Sequence, residues 1–367
     1  MAPTARTHRG HPPVKPELHN VLLRAPNWLG DCVLALPAVN AVRRALPNAH
    51  LVVMARQAVA DLWRMTQVDR VLPFAFRPWL AGMRDRMAFA RMLRGQHFDA
   101  ALVLPNSFDA ALVPLLARIP DRAGWPTDCR SLMLTRRIPK PPYLADTSQA
   151  QLYLHLVGQW LGHDVDARCD VRLRVPDDAA QRVRDACGAT SPPVIGINPG
   201  ATYGTAKCWL PDRYADVAIR AHRAFDARII LLGGPGDVAV CARVLAMIEH
   251  LTGGAALWCT NLAGATTLCD LAAWLEACTC LVTNDTGSMH VAAAVGTPVV
   301  AVFGPTDWKT TAPLGQHHAL IRVPCDCAPC LKRTCPTDHR CMTAISADMV
   351  FDALAACVRS AGAAPES

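Results

Sequence analysis

The stretch that decides the fold runs from residue 281 to residue 295 and reads LVTNDTGSMHVAAAV. Its apolar start predicts a buried strand (281–283), and its end predicts a helix (291–295). A short turn rich in small residues joins the two. Such a strand–turn–helix unit is the repeating element of parallel α/β sheets, so the stretch predicts an α/β fold.

The turn between them, residues 284–290, is a candidate phosphate site. Its small residues let backbone amides approach a phosphate, and the N-terminus of the following helix adds favourable partial charge. Thr286 and Ser288 can also donate hydroxyl groups. An ordinary helix cap, in which Asp285 or Thr286 satisfies free amides, explains the same residues equally well. His290 taken alone is more often a packed helical histidine than a ligand.

Strands and helices alternate on both sides of this turn at the spacing of βαβ units. The pattern begins near residue 20 and restarts after residue 175, so we expect two Rossmann-like, doubly wound α/β domains that face a cleft. We predict a disordered tail (1–19), an N-terminal domain (20–182), a C-terminal domain (183–345) and a last amphipathic helix (346–361). That helix could pack back on the first domain.

The pattern also predicts individual elements. Pro37 either kinks a helix over 32–46 or marks its real start. Other helices are expected at 83–94 and near 177–187. The predicted strands are 20–25, 51–55, 71–74, 100–104, 194–198, 227–232, 281–283 and 299–302.

Length and composition exclude several classes of protein. A chain of 367 residues with 51% hydrophobic and 18% charged residues predicts two folded domains and no extended disorder. Its longest apolar runs are strand-sized, and its start carries no secretory pattern, so we expect a cytoplasmic protein. The net charge of +7 favours phosphates or an anionic membrane surface as partners, with peripheral contact at such a surface as one alternative. The sequence contains no dense basic helix, so nucleic acid is not indicated as a partner.

Two further loops of the second half follow predicted strands in the same way. Residues 199–209 contain two glycines and end near Lys207, and residues 233–237 end on Asp237. Flexible amides together with Lys207 suit a diphosphate, although the Gly-Lys-Ser/Thr of a P-loop is absent. One such loop is more often a surface loop. Three small-residue loops at the strand ends of one domain favour a phosphate site.

The first half offers candidate polar groups at its own strand ends. Asp31 follows the first strand, where a carboxylate could act as a general base on an incoming hydroxyl. It could equally be an ordinary residue of a helix N-terminus. Asn106 and Ser107 follow the strand at 100–104, where they could bind polyols or simply form a turn.

Five of the 16 cysteines crowd into residues 325–341, here named the cysteine-rich segment. Its soft ligands, with His339 among them, could hold a structural zinc or iron ion. Its spacing does not match a standard zinc ribbon, so a redox-labile loop and simple packing stay open as alternatives. The five thiols belong to Cys325, Cys327, Cys330, Cys335 and Cys341.

Several of these segments together resemble the lipopolysaccharide heptosyltransferases of the GT-B glycosyltransferase class. The resemblance runs from about residue 21 to residue 354. Residues 105–108 and 200–207 are most similar to heptosyltransferase II sequences, which add the second core heptose. The other matching segments are 27–31, 104–114, 198–209, 261–264 and 283–305.

The resemblance implies a role for each matching residue. Asp31 matches the family's proposed catalytic base, while Asn106 and Ser107 fall in the acceptor-binding domain. Donor-binding positions are matched by Thr202, Lys207, Asp237, Asp285, Thr286, Gly287 and His290. Cys208 stands where related sequences often carry an arginine.

The resemblance also implies the reaction. It is an inverting transfer of L-glycero-D-manno-heptose from ADP-heptose to the lipopolysaccharide inner core, namely to heptosyl-Kdo2-lipid A. Cations and amides take up the charge of the leaving diphosphate, so no divalent metal is required. The alternatives are heptosyltransferase I or III, or a protein heptosyltransferase. Less favoured are a nicotinamide-dependent dehydrogenase, since no Gly-x-Gly-x-x-Gly follows the first strand, and a metal-binding module.

Overall fold

The computed structural model describes residues 18–141, 146–166, 171–187 and 192–362. The predicted tail (1–19) therefore lies almost entirely outside the described residues. The chain divides into two compact units, Met1–Asp170 and Val171–Ser367. The sequence places this boundary between residues 182 and 183. The difference arises at the helix over 177–187, which packs on a helix of the second unit.

The first unit is built on a parallel sheet. Its strands are β1 (Asn20–Arg24), β2 (His50–Arg56), β3 (Arg70–Phe74), β4 (Ala100–Val103), β5 (Asp121–Gly124) and β6 (Arg136–Arg137). Among the described residues they form six strands in the order β3-β2-β1-β4-β5-β6. The central strands β1 and β4 are almost wholly buried because helices cover both faces of such a sheet.

The helices of the first unit connect these strands. They are α1 (Leu29–Leu34), α2 (Leu36–Ala45), α3 (Ala60–Arg64), α4 (Met83–Arg94), α5 (Phe108–Leu116) and α6 (Gln149–Leu161). The stretch predicted as one helix over 32–46 is two, and Pro37 lies in the first turn of α2. The fixed φ of proline suits that position, and its missing N–H is not needed there. Pro37 thus marks the real start of a helix.

The second unit repeats the arrangement. Its strands are β7 (Val194–Asn198), β8 (Arg228–Leu231), β9 (Cys259–Asn261), β10 (Cys280–Asn284), β11 (Val299–Val302) and β12 (Ala319–Ile321). In the described part of the chain their order is β12-β11-β10-β7-β8-β9, and every pair is parallel. The carboxyl ends of all these strands therefore lie along one edge of the sheet.

The helices of the second unit include two that revise the predicted organisation. They are α7 (Asp177–Cys187), α8 (Pro211–Phe225), α9 (Val238–Thr252), α10 (Leu268–Ala277), α11 (Gly287–Val295), α12 (Trp308–Thr311), α13 (Arg340–Thr343) and α14 (Ala347–Gly362). The helix α7 packs on α10. The helix α14 packs on α8, β10, β11 and β12, and it buries Val350 and Leu354 in the core of this unit. The sequence alone had left open whether α14 packs back on the first domain.

Four strands escaped prediction because they are short and mostly lie at sheet edges. The strands β5, β6, β9 and β12 have between two and four residues. Two or three residues are too few for an apolar pattern to be recognised, and the four residues of β5 include the charged Asp121 and Arg122. β6, for instance, consists of two arginines. Pairing with a longer neighbour in the folded sheet, rather than local preference, therefore makes these residues strands.

Candidate functional site

Two buried asparagines end the neighbouring strands β7 and β10 and hold the loops that follow. Thr283 of β10 lies opposite Asn198, the last residue of β7. The side chain of Asn198 donates to the hydroxyl of Ser288 at 2.7 Å and accepts from the amide of Gly200 at 3.2 Å. One side chain therefore joins the start of the 199–209 loop to the first turn of α11.

Asn284 makes four hydrogen bonds from a fully buried position. Its amide nitrogen donates to the carbonyls of Pro199 (2.8 Å) and Gly200 (3.2 Å). Its oxygen accepts from the backbone N–H of Trp209 (2.9 Å) and the hydroxyl of Tyr214 (2.8 Å). Both ends of the 199–209 loop are thus tied to the end of β10. Because all four bonds are made, the buried amide is fully satisfied and fixes the loop rigidly.

A buried ion pair joins the two loops. The ammonium of Lys207 lies 2.8 Å from Oδ2 of Asp285 and 3.3 Å from the backbone oxygen of the same residue. The Lys207 and Asp285 side chains are only 14% and 5% exposed. Such burial strips both charges of most of their hydration, and mutual attraction has to offset that cost. The sequence predicted both residues as donor ligands, and the structure brings them into direct contact.

Thr311, which the sequence did not single out, brings the segment after β11 into contact with this ion pair. It closes α12, which follows β11, and its hydroxyl lies 3.4 Å from Oδ2 of Asp285 and 3.2 Å from the carbonyl of Asp307. A cavity of about 400 Å³ lies beside α12 and is lined by Thr306, Trp308 and Arg322 among others. A threonine in a short helix beyond a strand is too common for the sequence alone to have indicated this role.

The helix α11 begins at Gly287, four residues before the start predicted from the sequence (291), so residues 287–290 are helical rather than part of the turn. Thr286 is its N-cap and makes no side-chain cap hydrogen bond, and Gly287 is the first helical residue. The helix therefore begins without a hydroxyl occupying its free amides, which is the arrangement a phosphate can use. The ordinary helix cap considered from the sequence is not formed by Thr286.

His290 lies on the next turn of α11 but is only 4% exposed. The pKa of His290 is lowered to about 4, chiefly by burial; Asp285 acts in the opposite direction, and Lys207 and His318 contribute to the lowering. The imidazole is therefore neutral at physiological pH and adds no positive charge to a phosphate site. Its Nδ1 has no hydrogen-bond partner among the described residues.

Asp237 follows β8 and packs against the 199–209 loop. One of its carboxylate oxygens accepts from the N–H of Gly234 at 2.9 Å. A Cβ on Gly200 would lie 2.0 Å from the other oxygen, so only glycine fits there. Burial raises the pKa of Asp237. Asp237 thus lies at the same sheet edge as Lys207 and Asp285. Thr202, in the 199–209 loop, is exposed.

In the first unit, Asp31 lies in the first turn of α1, directly after the loop that follows β1. It is half-buried. Burial raises the pKa of Tyr153 well above its usual value, and the charge of Asp31 raises it further. The carboxylate of Asp31 is therefore close to a buried phenol of α6. Its place after a strand end is the one expected from the sequence.

The loop with Asn106 and Ser107 follows β4 and is held by a buried arginine that the sequence did not single out. Arg130 is fully buried and donates to the carbonyls of Pro105, Ser107 (3.2 Å) and Trp125 (2.8 Å). Burial lowers the pKa of Arg130 to about 10, which leaves it charged at neutral pH. No local pattern could have indicated a contact that spans more than 20 residues.

The cysteine-rich segment is described throughout and has five unpaired thiols. The sulfur atoms of Cys325 and Cys327 are 3.3 Å apart. Among the described residues, no group of three or more His, Cys, Asp or Glu side chains gathers closely enough to hold a metal ion. Zinc or iron at this segment stays a prediction. None of the helices in the described parts of the chain has the length and apolarity needed to cross a bilayer.

Comparisons with known proteins agree with this fold. The sequence profile of glycosyltransferase family 9 (heptosyltransferase) matches residues 86–340. The chain is 31% identical to lipopolysaccharide heptosyltransferase 2 of Salmonella typhimurium, over 83% of this chain and 88% of that one. Its identity to the Escherichia coli protein of the same name is also 31%, with the same coverage. The solved structure of E. coli ADP-heptose lipopolysaccharide heptosyltransferase II matches with a TM-score of 0.78 and 28% identity, covering 94% of this chain and all of that one.

The two doubly wound α/β units, together with the match to the solved heptosyltransferase II structure, assign the GT-B glycosyltransferase fold. The chain belongs to glycosyltransferase family 9, the heptosyltransferase family. This assignment replaces the dehydrogenase and the metal-binding module that composition and loop spacing had left open.

Proposed function

We propose that this enzyme is an inverting heptosyltransferase that moves L-glycero-D-manno-heptose from ADP-heptose to the inner core of lipopolysaccharide. Within that class, we propose that it adds the second heptose, to heptosyl-Kdo2-lipid A. The relatives named heptosyltransferase 2 and the solved ADP-heptose enzyme support this choice.

The observation that carries the proposal is the buried pair of Lys207 and Asp285 beside the start of α11. A sugar nucleotide presents a diphosphate next to hydroxyl groups. The ammonium and the amides of α11 suit the diphosphate, while the carboxylate accepts hydrogen bonds from sugar hydroxyls. Thr202, Thr286, Gly287 and Asp237 complete the proposed donor site.

The reaction we propose begins at Asp31. Its carboxylate takes the proton of the acceptor hydroxyl, whose oxygen attacks the anomeric carbon of the heptose. The bond to the diphosphate breaks, ADP leaves, and the configuration inverts through an oxocarbenium-like transition state. Lys207 and the free amides of α11 stabilise the charge that grows on the diphosphate, without a divalent metal. Removing one such stabiliser commonly slows a reaction by a factor of ~100 or more.

We propose that the acceptor is held by the first unit, with Asn106 and Ser107 bonding its hydroxyl groups. Arg130 supports this role because it fixes the backbone on both sides of Asn106. We further propose that the enzyme works in the cytoplasm, with peripheral contact at the inner membrane where a lipid-linked acceptor lies. The net charge of +7 favours an anionic surface.

The decisive experiment offers ADP-heptose to acceptors that differ by one heptose. We expect transfer to heptosyl-Kdo2-lipid A and none to Kdo2-lipid A. Transfer to Kdo2-lipid A alone would assign heptosyltransferase I, and transfer to diheptosylated acceptors would assign heptosyltransferase III. Transfer to a protein and to none of the saccharides would contradict the proposal.

A further inference from the structure

The cysteine-rich segment contacts the turn that carries Lys207. The backbone N–H of Ala206 donates to the carbonyl of Arg333 at 3.0 Å. The carbonyl of Ala206 accepts from Nε2 of His339 at 2.7 Å. Ala206 is only 2% exposed. Both polar groups of the residue before Lys207 are therefore satisfied by a segment about 130 positions further along the chain.

The turn and the cysteine-rich segment approach each other so closely that the contact restricts which residue can stand at position 204. A Cβ on Gly204 would lie 2.3 Å from the carbonyl oxygen of Arg333, a distance that no side chain tolerates. On the preceding residue, the hydroxyl of Tyr203 donates to the carbonyl of Leu331 at 3.0 Å. The segment thus contacts Tyr203, Gly204 and Ala206 of the turn that leads to Lys207.

Two residues at these contacts have left-handed backbones. Leu331 has a φ of 56° and His339 a φ of 57°. Leu331 also donates its N–H to the carbonyl of Pro305, in the loop after β11. Non-glycine residues in this region carry a conformational cost and persist where surrounding contacts over-determine them. Here those contacts come from the 199–209 loop and from the loop after β11.

Arg333 brings a second cation to the turn. The ring of Tyr203 has the ammonium of Lys207 5.3 Å from its centroid and the guanidinium of Arg333 5.1 Å from it. Lys207 is already paired with Asp285, whereas Arg333 is exposed and forms no ion pair with any described residue. A diphosphate that reaches Lys207 therefore meets one compensated and one uncompensated positive charge. A guanidinium can bind phosphate oxygens with two hydrogen bonds at once.

We propose that the cysteine-rich segment is a working part of the donor site. Arg333 binds the diphosphate of the sugar nucleotide, and His339 is a positioning residue that holds Lys207 through the carbonyl of Ala206. The inference rests on the proposed donor but not on the identity of the acceptor. It also gives the segment a role that needs no metal.

The first test measures binding of ADP and AMP without acceptor, by calorimetry, for Arg333→Ala and for the control Lys332→Ala. We expect Arg333→Ala to weaken ADP binding by a factor of about 10 or more, with a much smaller effect on AMP, because a charge-assisted hydrogen bond to the second phosphate is lost. Lys332 is an exposed neighbour, so its variant should bind ADP normally. Equal ADP affinity in both variants would overturn the role of Arg333.

The second test follows His339. We expect His339→Ala to lower kcat for heptose transfer about tenfold or more, and His339→Gln to restore most of it, because a glutamine can donate to the same carbonyl. His317→Ala is the matched control, since His317 is exposed and also has a left-handed backbone, with a φ of 74°. If the glutamine variant is as slow as the alanine variant while thermal unfolding is unchanged, the positioning role is wrong.

The two proposals fail in different ways. If the wild-type enzyme transfers heptose to no saccharide acceptor but Arg333→Ala still weakens ADP binding, the proposed function fails and the donor-site inference stands. If transfer proceeds as proposed and neither Arg333→Ala nor His339→Ala changes it or ADP binding, only the inference is overturned.

Discussion

The ammonium of Lys207 lies 2.8 Å from a carboxylate oxygen of Asp285, in a position where water barely reaches either group. The two residues are 78 positions apart and leave the ends of neighbouring parallel strands. A ligand that binds Lys207 must therefore act on a charge that is already paired. The ion pair thus holds a buried cation where we propose that the diphosphate binds, and a carboxylate where we propose that the sugar lies.

Breaking this pair should reduce both stability and activity. We expect Lys207→Ala to lower the free energy of unfolding by about 3–5 kcal/mol, because the Asp285 carboxylate stays buried without its partner. Urea unfolding measures this change. The double variant Lys207→Met/Asp285→Leu should recover much of the lost stability yet stay inactive in transfer. Equal stability of wild type and Lys207→Ala would show that the pair contributes nothing to folding.

Replacing Asp31 tests the proposed base. We expect Asp31→Asn to lower kcat by a factor of roughly 100–10,000, the usual contribution of a positioned general base. ADP binding should be unchanged, since Asp31 belongs to the first unit and the proposed donor residues to the second. Steady-state transfer and calorimetry give the two quantities. Asp164→Asn is the control, because Asp164 is an exposed acid of the first unit. Full turnover in Asp31→Asn would remove this residue from the mechanism.

The buried His290 predicts a loss of stability in mild acid. Its pKa is about 4 when folded, below the value of about 6.5 expected when unfolded, so protons bind the unfolded chain more readily. The stabilisation is complete above pH ~6.5 and is lost as the pH falls towards 4, amounting to about 3 kcal/mol. Lys207, Asp285 and His318 are the charged or titratable groups that act on this ring.

Unfolding by urea between pH 7.5 and pH 4 measures this dependence. The variant His290→Gln removes the titrating ring, and its free energy of unfolding should fall less steeply over the same range. An identical slope for the variant and the wild type would mean that His290 does not titrate as described.

Removal of metal ions tests the proposed charge stabilisation. We expect transfer to continue at an undiminished rate after dialysis against EDTA, because protein cations and amides bind the diphosphate. Elemental analysis of the same sample measures zinc and iron at the cysteine-rich segment, with Cys327→Ser/Cys330→Ser as the comparison. A rate that falls by about tenfold or more and returns with a divalent ion would contradict the mechanism.

Local sequence patterns were reliable where a signal lies within a few residues. The strands β7 and β11 and the helix α4 have the predicted bounds, since each is a run with one clear periodicity. The packing partner of the last helix, α14, was harder to predict. The amphipathic pattern of α14 indicates that one face is buried, but it cannot say against which sheet, and the structure places that face on the second unit.

The sequence by itself determined the α/β class, the three small-residue loops at strand ends and the acids and lysine within them. These features depend on local periodicity, on the small size of glycine and serine, and on where helices begin. Tertiary structure alone decided which of these residues meet. Asn284 ties together residues 70 to 85 positions away, and His339 reaches Ala206 across 133 positions. Such contacts are set by the register of parallel strands and by packing, which bring distant loops to one sheet edge.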